Sequence, residues 1–200
     1  MTSNPAAETS DPHALAAPSS WVMRFVPLIQ PGAQVLDLAC GSGRHVRALA
    51  AQGFAMHAVD RDAQAVEPLR AMAQVTVADL EAGAWPLGES RFDAVIVTNY
   101  LWRPLLPRIV RMVAEGGVLI YETFAQGNGS IGRPSNPDFL LRPGELLDAV
   151  RPHLRVVAYE DGFTVTPKPA FVQRICAVRE NPPARGAEAG AEPNPAKYNL

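Results

Sequence analysis

The chain has 200 residues, 48% of them hydrophobic in type and 19% charged, with a formal net charge of −2. That length suits one domain able to bury a large core, and the mildly acidic balance argues against a nucleic-acid partner, which leaves a basic footprint. No run approaches the ~18 apolar residues of a membrane span, no basic stretch precedes an apolar one at the N-terminus, and two cysteines make neither a disulfide framework nor a zinc site by themselves. A cytoplasmic, enzyme-sized domain is the expectation.

Residues 1–19 hold three prolines and no sustained period, and read as a flexible arm. Ser20 is placed to cap a short helix over Trp21–Leu28, with Trp21, Phe25 and Leu28 on one face. After the Pro31-Gly32 turn, Val35 to Leu38 forms a strand that carries Asp37. A small-residue turn with Gly41 and Gly43 follows, and Val46, Leu49 and Ala50 then repeat at helical spacing up to Gly53. Phe54 to Val59 is a second strand ending in Asp60. Asp62 caps a helical stretch through Met72, which Pro68 kinks or shortens. Val75–Val77 is a brief third strand, leading to Asp79, Leu80 and Glu81.

The link from Ala82 to Arg91 holds Gly83, Pro86 and Gly88 and leaves room for a loop or one turn only. Phe92 to Thr98 is nearly continuous in apolar residues, the mark of a strand buried on both faces. It delivers Asn99, Tyr100, Leu101 and Trp102 to the carboxyl end of a sheet. Pro104 to Ala114 reads as a helix burying Leu105, Leu106, Ile109, Val110 and Val113, with Gly116 as its stop. Val118 to Phe124 is a second central strand. Ala125 to Pro143, rich in Gly, Asn and Pro, is a long loop of the kind that serves as a lid or binding loop. A helix over Glu145 to Val150 and strands over Leu154 to Glu160 and Phe171 to Val178 complete the domain, the last two pairing as an antiparallel edge hairpin. Residues 180–200 have few large apolar side chains and are expected to be a disordered tail.

Strand, glycine turn and helix start build nucleotide sites in parallel α/β sheets. A dinucleotide fingerprint needs a third glycine three residues after the second, and Val46 stands there, so that reading fails. What remains, an acid followed by two spaced glycines in Asp37 to Gly43, resembles the first motif of the class I S-adenosylmethionine (SAM)-dependent methyltransferases. Asp60, about 17 residues beyond Gly43, matches the carboxylate that such sites place on ribose hydroxyls. The resemblance covers about residues 20 to 179, and is nearest to small single-domain bacterial members such as the tellurite-resistance type. It implies a Rossmann-like, three-layer domain with a seven-stranded, mostly parallel sheet and an antiparallel edge hairpin. It also implies a SAM site. Ala39, Cys40, Gly41, Ser42 and Gly43 would lie against the methionine part, with Asp37 orienting the turn or its ligand. Asp60 and Arg61 would serve the ribose, Asp79 and Leu80 the adenine, and Asn99 the acceptor-facing end. S-adenosylhomocysteine would be the product.

For the acceptor side the candidates are Asn99 and Tyr100 as catalytic residues. Asn-Tyr here lacks both prolines of the motif found in enzymes that methylate exocyclic amines. Trp21, Trp102, Glu122, Arg133 and Asn136 are candidate substrate contacts, with packing, capping or loop anchoring as the competing roles. A small-molecule acceptor is expected, with an RNA or protein acceptor, or a module that binds the cofactor without transfer, as alternatives. No metal is expected. Cys40 fits as a small turn residue and not as a nucleophile. His45 reads as a surface residue, His57 and His153 lack metal-ligand spacing, and Arg103, Arg108 and Arg111 read as a solvated helix face.

Overall fold

A computed structural model describes residues 16–181 and Tyr198. Residues 1–15 of the expected arm, and all of the expected tail except Glu180, Asn181 and Tyr198, lie outside the described residues. Seven strands form one sheet: β1 (Gln34–Leu38), β2 (Ala55–Asp60), β3 (Ala73–Val77), β4 (Phe92–Thr98), β5 (Val113–Phe124), β6 (Arg155–Thr164) and β7 (Ala170–Val178), in the order β3-β2-β1-β4-β5-β7-β6. β1 pairs in parallel with β2 and β4, β2 with β3, and β4 with β5. β7 runs antiparallel to both β5 and β6, so the edge hairpin enters the sheet through its second strand. This is the expected doubly wound architecture.

The alternation of side chains along each strand divides the core in two. Leu36, Leu38, Val95, Val97, Leu119 and Tyr121 face one layer, while Val35, Ala94, Ile96, Val118 and Ile120 face the other. The second layer is covered by α1 (Ser20–Phe25), through Trp21, Val22 and Phe25, and by α2 (Arg44–Ala50), through Val46 and Leu49. The cap of α1 is Ser19, one residue earlier than the sequence suggested. Its backbone is extended at φ −60° and ψ 131°, so its hydroxyl oxygen can accept from the N–H groups of Trp21 and Val22. Pro68 shortens the next helix as expected: α3 (Ala63–Val66), capped by Asp62, passes into a 3₁₀ turn over Glu67–Ala71.

The helix expected over Pro104 to Ala114 is shorter. A 3₁₀ turn over Arg103–Leu105 leads into α4 (Leu106–Arg111), and the chain then passes directly into β5 at Val113. Val113 packs in the same apolar cluster as Ile109 and Val110, so a strand residue satisfied what looked like helical spacing. Gly116 is no helix stop. It sits at φ 74° in an irregularity of β5, where its N–H donates to the Arg179 carbonyl. The segment 125–143 is not structureless either: it holds 3₁₀ turns at Asn128–Ser130 and Pro137–Phe139, and Ala125 bridges to Leu141. It leads to α5 (Glu145–Val150), as expected. Tyr198 of the tail packs beside the second core layer, with the Arg155 guanidinium 5.3 Å from its ring centre.

Candidate cofactor site

The turn after β1 carries three left-handed residues, Ala39 (φ 55°), Gly41 (φ 55°) and Gly43 (φ 78°). The two glycines serve different ends. A Cβ on Gly43 would lie 2.5 Å from the Leu69 methyl groups, so this glycine lets the 3₁₀ turn of residues 67–71 pack close. A Cβ on Gly41 would meet nothing within 4 Å, so this glycine faces the open space where a ligand could approach the backbone. The Gly41 N–H donates to Asp60 Oδ2 at 2.7 Å, and Asp60 Oδ1 accepts from the Asp62 N–H at 3.0 Å. The acid at the end of β2 thus ties the glycine turn to the β2–α3 turn.

Asp79 follows β3 and is exposed; its Oδ1 accepts from the N–H groups of Glu81 and Ala82, fixing the loop around half-buried Leu80. Asn99 follows β4 at φ 55°, a conformation its short polar side chain tolerates, and is exposed like Arg61. Asp37, Asp60, Asp79 and Asn99 therefore stand at or just beyond the carboxyl ends of four neighbouring strands, β1 to β4. That is where open α/β sheets hold ligands. The open face of Gly41 beside these groups fits a nucleoside-bearing cofactor.

Half-buried Tyr100 has a hydroxyl with no hydrogen-bond partner among the described residues. Burial first, then the Glu81 and Asp79 carboxylates, raise its pKa, so it stays protonated at neutral pH. Trp102 packs half-buried against the first core layer. Trp21 is 3% exposed, edge-on to Phe25, with its indole N–H donating to the Ile175 carbonyl. The structure places it in the core. Cys40 is buried, and desolvation together with Asp37 and Asp60 raises its pKa, so the thiol is no nucleophile. Arg133 is exposed, and Asn136 spends its side-chain oxygen on the Asp138 N–H.

Several residues gain roles that the sequence did not signal. His45 is buried and not on the surface: its Nε2 accepts from the Ser19 N–H at 3.0 Å, and its Nδ1 lies 3.8 Å from Asp37 Oδ2. Position 45 is four residues before buried Leu49, and that spacing could have marked it as inward-facing. Of the roles weighed for Glu122, the structure shows anchoring of the segment ahead of α1. Its Oε1 accepts from the Ser19 hydroxyl at 2.8 Å, and its Oε2 lies 2.7 Å from Arg174 Nε. Arg103 is no solvated residue: it holds both Glu145 carboxylate oxygens, at 2.7 and 3.0 Å, and donates to the carbonyls of Asp138 and Leu140. Arg108 stacks 5.1 Å from the Trp85 ring centre, which leaves only Arg111 exposed. Among the described residues no His, Cys, Asp or Glu cluster could hold a metal, and no helix is long and apolar enough to cross a membrane.

Residues 35–117, from β1 through the start of β5, match the family model described as a methyltransferase domain. The fold is that of the class I, Rossmann-like methyltransferases. The methyltransferase fold recurs in solved structures. TehB from Haemophilus influenzae is 18% identical with a TM-score of 0.69; the match covers 84% of this chain and 64% of that one, so this chain spans just under two thirds of its length. A TehB-like SAM-dependent methyltransferase from Corynebacterium glutamicum is 20% identical, with a TM-score of 0.57 over 80% of this chain and 87% of that one. A SAM-dependent methyltransferase from Mesorhizobium loti is 16% identical, with a TM-score of 0.62 over 79% and 95%. No curated protein sequence matches the chain.

Proposed function

We propose that this domain binds SAM at the carboxyl ends of β1 to β4 and transfers its methyl group to a small molecule in the cytoplasm. The observation that carries the reading is the open, left-handed Gly41, bonded to Asp60 and flanked by Asp79 and Asn99 on the neighbouring strands. Ala39 to Gly43 would hold the methionine part, with Asp37 behind them. Asp60, with Arg61 beside it, would accept from the ribose hydroxyls; Asp79 and Leu80 would hold the adenine.

When bound, SAM supplies an electrophilic sulfonium methyl, whose C–S electron pair returns to sulfur as the new bond forms. The work of the protein is then positioning and exclusion of water. Tyr100 is held protonated and can donate a hydrogen bond but not take a proton. Glu122 is engaged by Ser19 and Arg174. The reading therefore favours an acceptor whose nucleophile is already deprotonated or soft enough to need no base. Asn99 and Trp102 would border its place, with Arg133 and Asn136 as further contacts.

Calorimetric titration with S-adenosylhomocysteine, with NAD as control, tests this. Micromolar binding of the first and none of the second is expected, and Asp60→Ala should weaken it by ~1 kcal/mol or more, the scale of a lost hydrogen bond to a charged group. A folded protein that ignores S-adenosylhomocysteine would end the proposal. Binding without turnover on any small acceptor would favour an RNA or protein acceptor, or a module that only binds.

A further inference from the structure

We infer that His45 is a positioning residue that couples the docking of the chain ahead of α1 to occupancy of the cofactor turn, an inference that rests on the SAM reading above. Residues 17–19 are fastened to the carboxyl side of the sheet at three points. The Ser19 N–H donates to His45 Nε2, the Ser19 hydroxyl donates to Glu122 Oε1, and Arg44 Nη1 donates to the Ala17 carbonyl at 3.3 Å. The anchors are adjacent to one another. Arg44 also reaches Thr98 Oγ1 at 3.4 Å, and Thr98 pairs with Glu122 across β4 and β5. Two of the three anchors, Arg44 and His45, are the residues immediately after Gly43, so the strap is held by the element that shapes the cofactor turn.

The imidazole faces both partners at once. Because Nε2 accepts from Ser19, the ring is neutral and its proton is on Nδ1, pointing towards Asp37. At 3.8 Å that contact is too long for a hydrogen bond, and both Asp37 oxygens are buried without a hydrogen-bond partner among the described residues. The Asp37 carboxyl and the His45 Nδ1–H therefore face each other without closing a hydrogen bond, and Asp37 stands at the base of the turn. A ligand that settles the turn around Asp37 fixes the position of Nδ1, and the rigid ring passes this to Nε2 and the strap. Coupling of this kind is reciprocal: whatever factor ligand binding adds to strap docking, docking adds to ligand affinity.

The test is hydrogen exchange of the peptide over residues 16–25, with and without S-adenosylhomocysteine, alongside calorimetry on the same samples. In the wild type the ligand should slow exchange at the Ser19 amide by about tenfold or more. His45→Gln, whose side-chain carbonyl can accept from Ser19, should retain the effect. His45→Leu, similar in bulk but without an acceptor, should lose it, and its ligand affinity should fall by the same factor. Should the Leu variant not fold, Ser19→Pro replaces it. The Ser19 φ of −60° suits a proline ring, which removes the N–H that His45 receives. Ser19→Ala, which keeps the N–H, is its control and should stay coupled. Ligand binding that leaves exchange over 16–25 unchanged would overturn this inference while sparing the SAM reading. So would a Leu or Pro variant as strongly coupled as the wild type. Absence of binding to the folded wild type would remove both.

Discussion

Asp37 and His45 lie side by side in the interior, each 1% exposed, and burial moves their pKa values in opposite directions. Desolvation raises Asp37 to about 7, with Asp60 adding to the shift and Arg44 opposing it. Desolvation, then Arg44, lowers His45 to about 4. The raised carboxyl contributes stability that is fully present below its unfolded value of 3.8 and lost as pH rises through about 7. The depressed imidazole contributes stability present above its unfolded value of 6.5 and lost as pH falls through about 4. Between those limits the two slopes oppose, because folding moves one proton from the histidine to the aspartate without changing the count. Single substitutions should expose each slope. Asp37→Asn should become less stable as pH falls from 6.5 to 4, and His45→Gln should become less stable as pH rises from 4 to 7. Urea midpoints across that range measure both; parallel, flat profiles in the two variants would contradict the pairing. The sequence disclosed Asp37 through its motif; the spacing of His45 to Leu49 marks it only as inward-facing, and its bond to Ser19 depends on a strap that arrives from outside its helix.

At the scale of elements, the segment between β5 and α5 is where local patterning said least. Its glycines, asparagines and prolines read as an open loop, yet Arg103 fastens it through Glu145 and two carbonyls 35 to 42 residues away in the chain. Buried Asn128 pins its other half, donating to the Pro134 carbonyl and accepting from the Phe171 N–H. Arg103→Met should destabilise the fold by ~1–3 kcal/mol, as expected when a partly buried carboxylate loses charged hydrogen bonds. It should also open the segment to limited proteolysis near Phe139. A variant cut no faster than the wild type would show that Arg103 carries no part of the anchoring. The same limit of local reading explains α4 and β5. Helical spacing over Leu106 to Val113 is real, but Val113 reaches the shared core from a strand, and only the pairing of Phe92 with Val113 reveals the change.

Across the whole molecule, the sheet and the elements that cover it run from Ser20 to Val178, and the strap at residues 17–19 is fastened ahead of them. At the back, Tyr198 rests against Arg155 and the second core layer. Truncation after Asn181 should keep the fold and the affinity for S-adenosylhomocysteine. Loss of one exposed cation–π contact, ~0.5–1 kcal/mol, should lower the melting temperature by roughly 2–4 °C. A collapse of the transition, or a fall in ligand affinity, would move the domain boundary into the tail.

Sequence alone determined the features written in short-range pattern. Apolar runs marked β4 and β5 as central strands, glycines and acids marked the turns at the carboxyl ends of β1 to β3, and Pro68 divided its helix. Each depends on residues within a turn or two of one another, where backbone sterics and side-chain periodicity act directly. The tertiary structure decided everything that needed a distant partner. It placed Trp21 in the core and buried His45 between Asp37 and Ser19. It engaged Glu122 with Arg174 and made Arg103 an anchor. Such roles are set by which groups lose water together, and that follows from the packing of the whole chain and not from its local spacing.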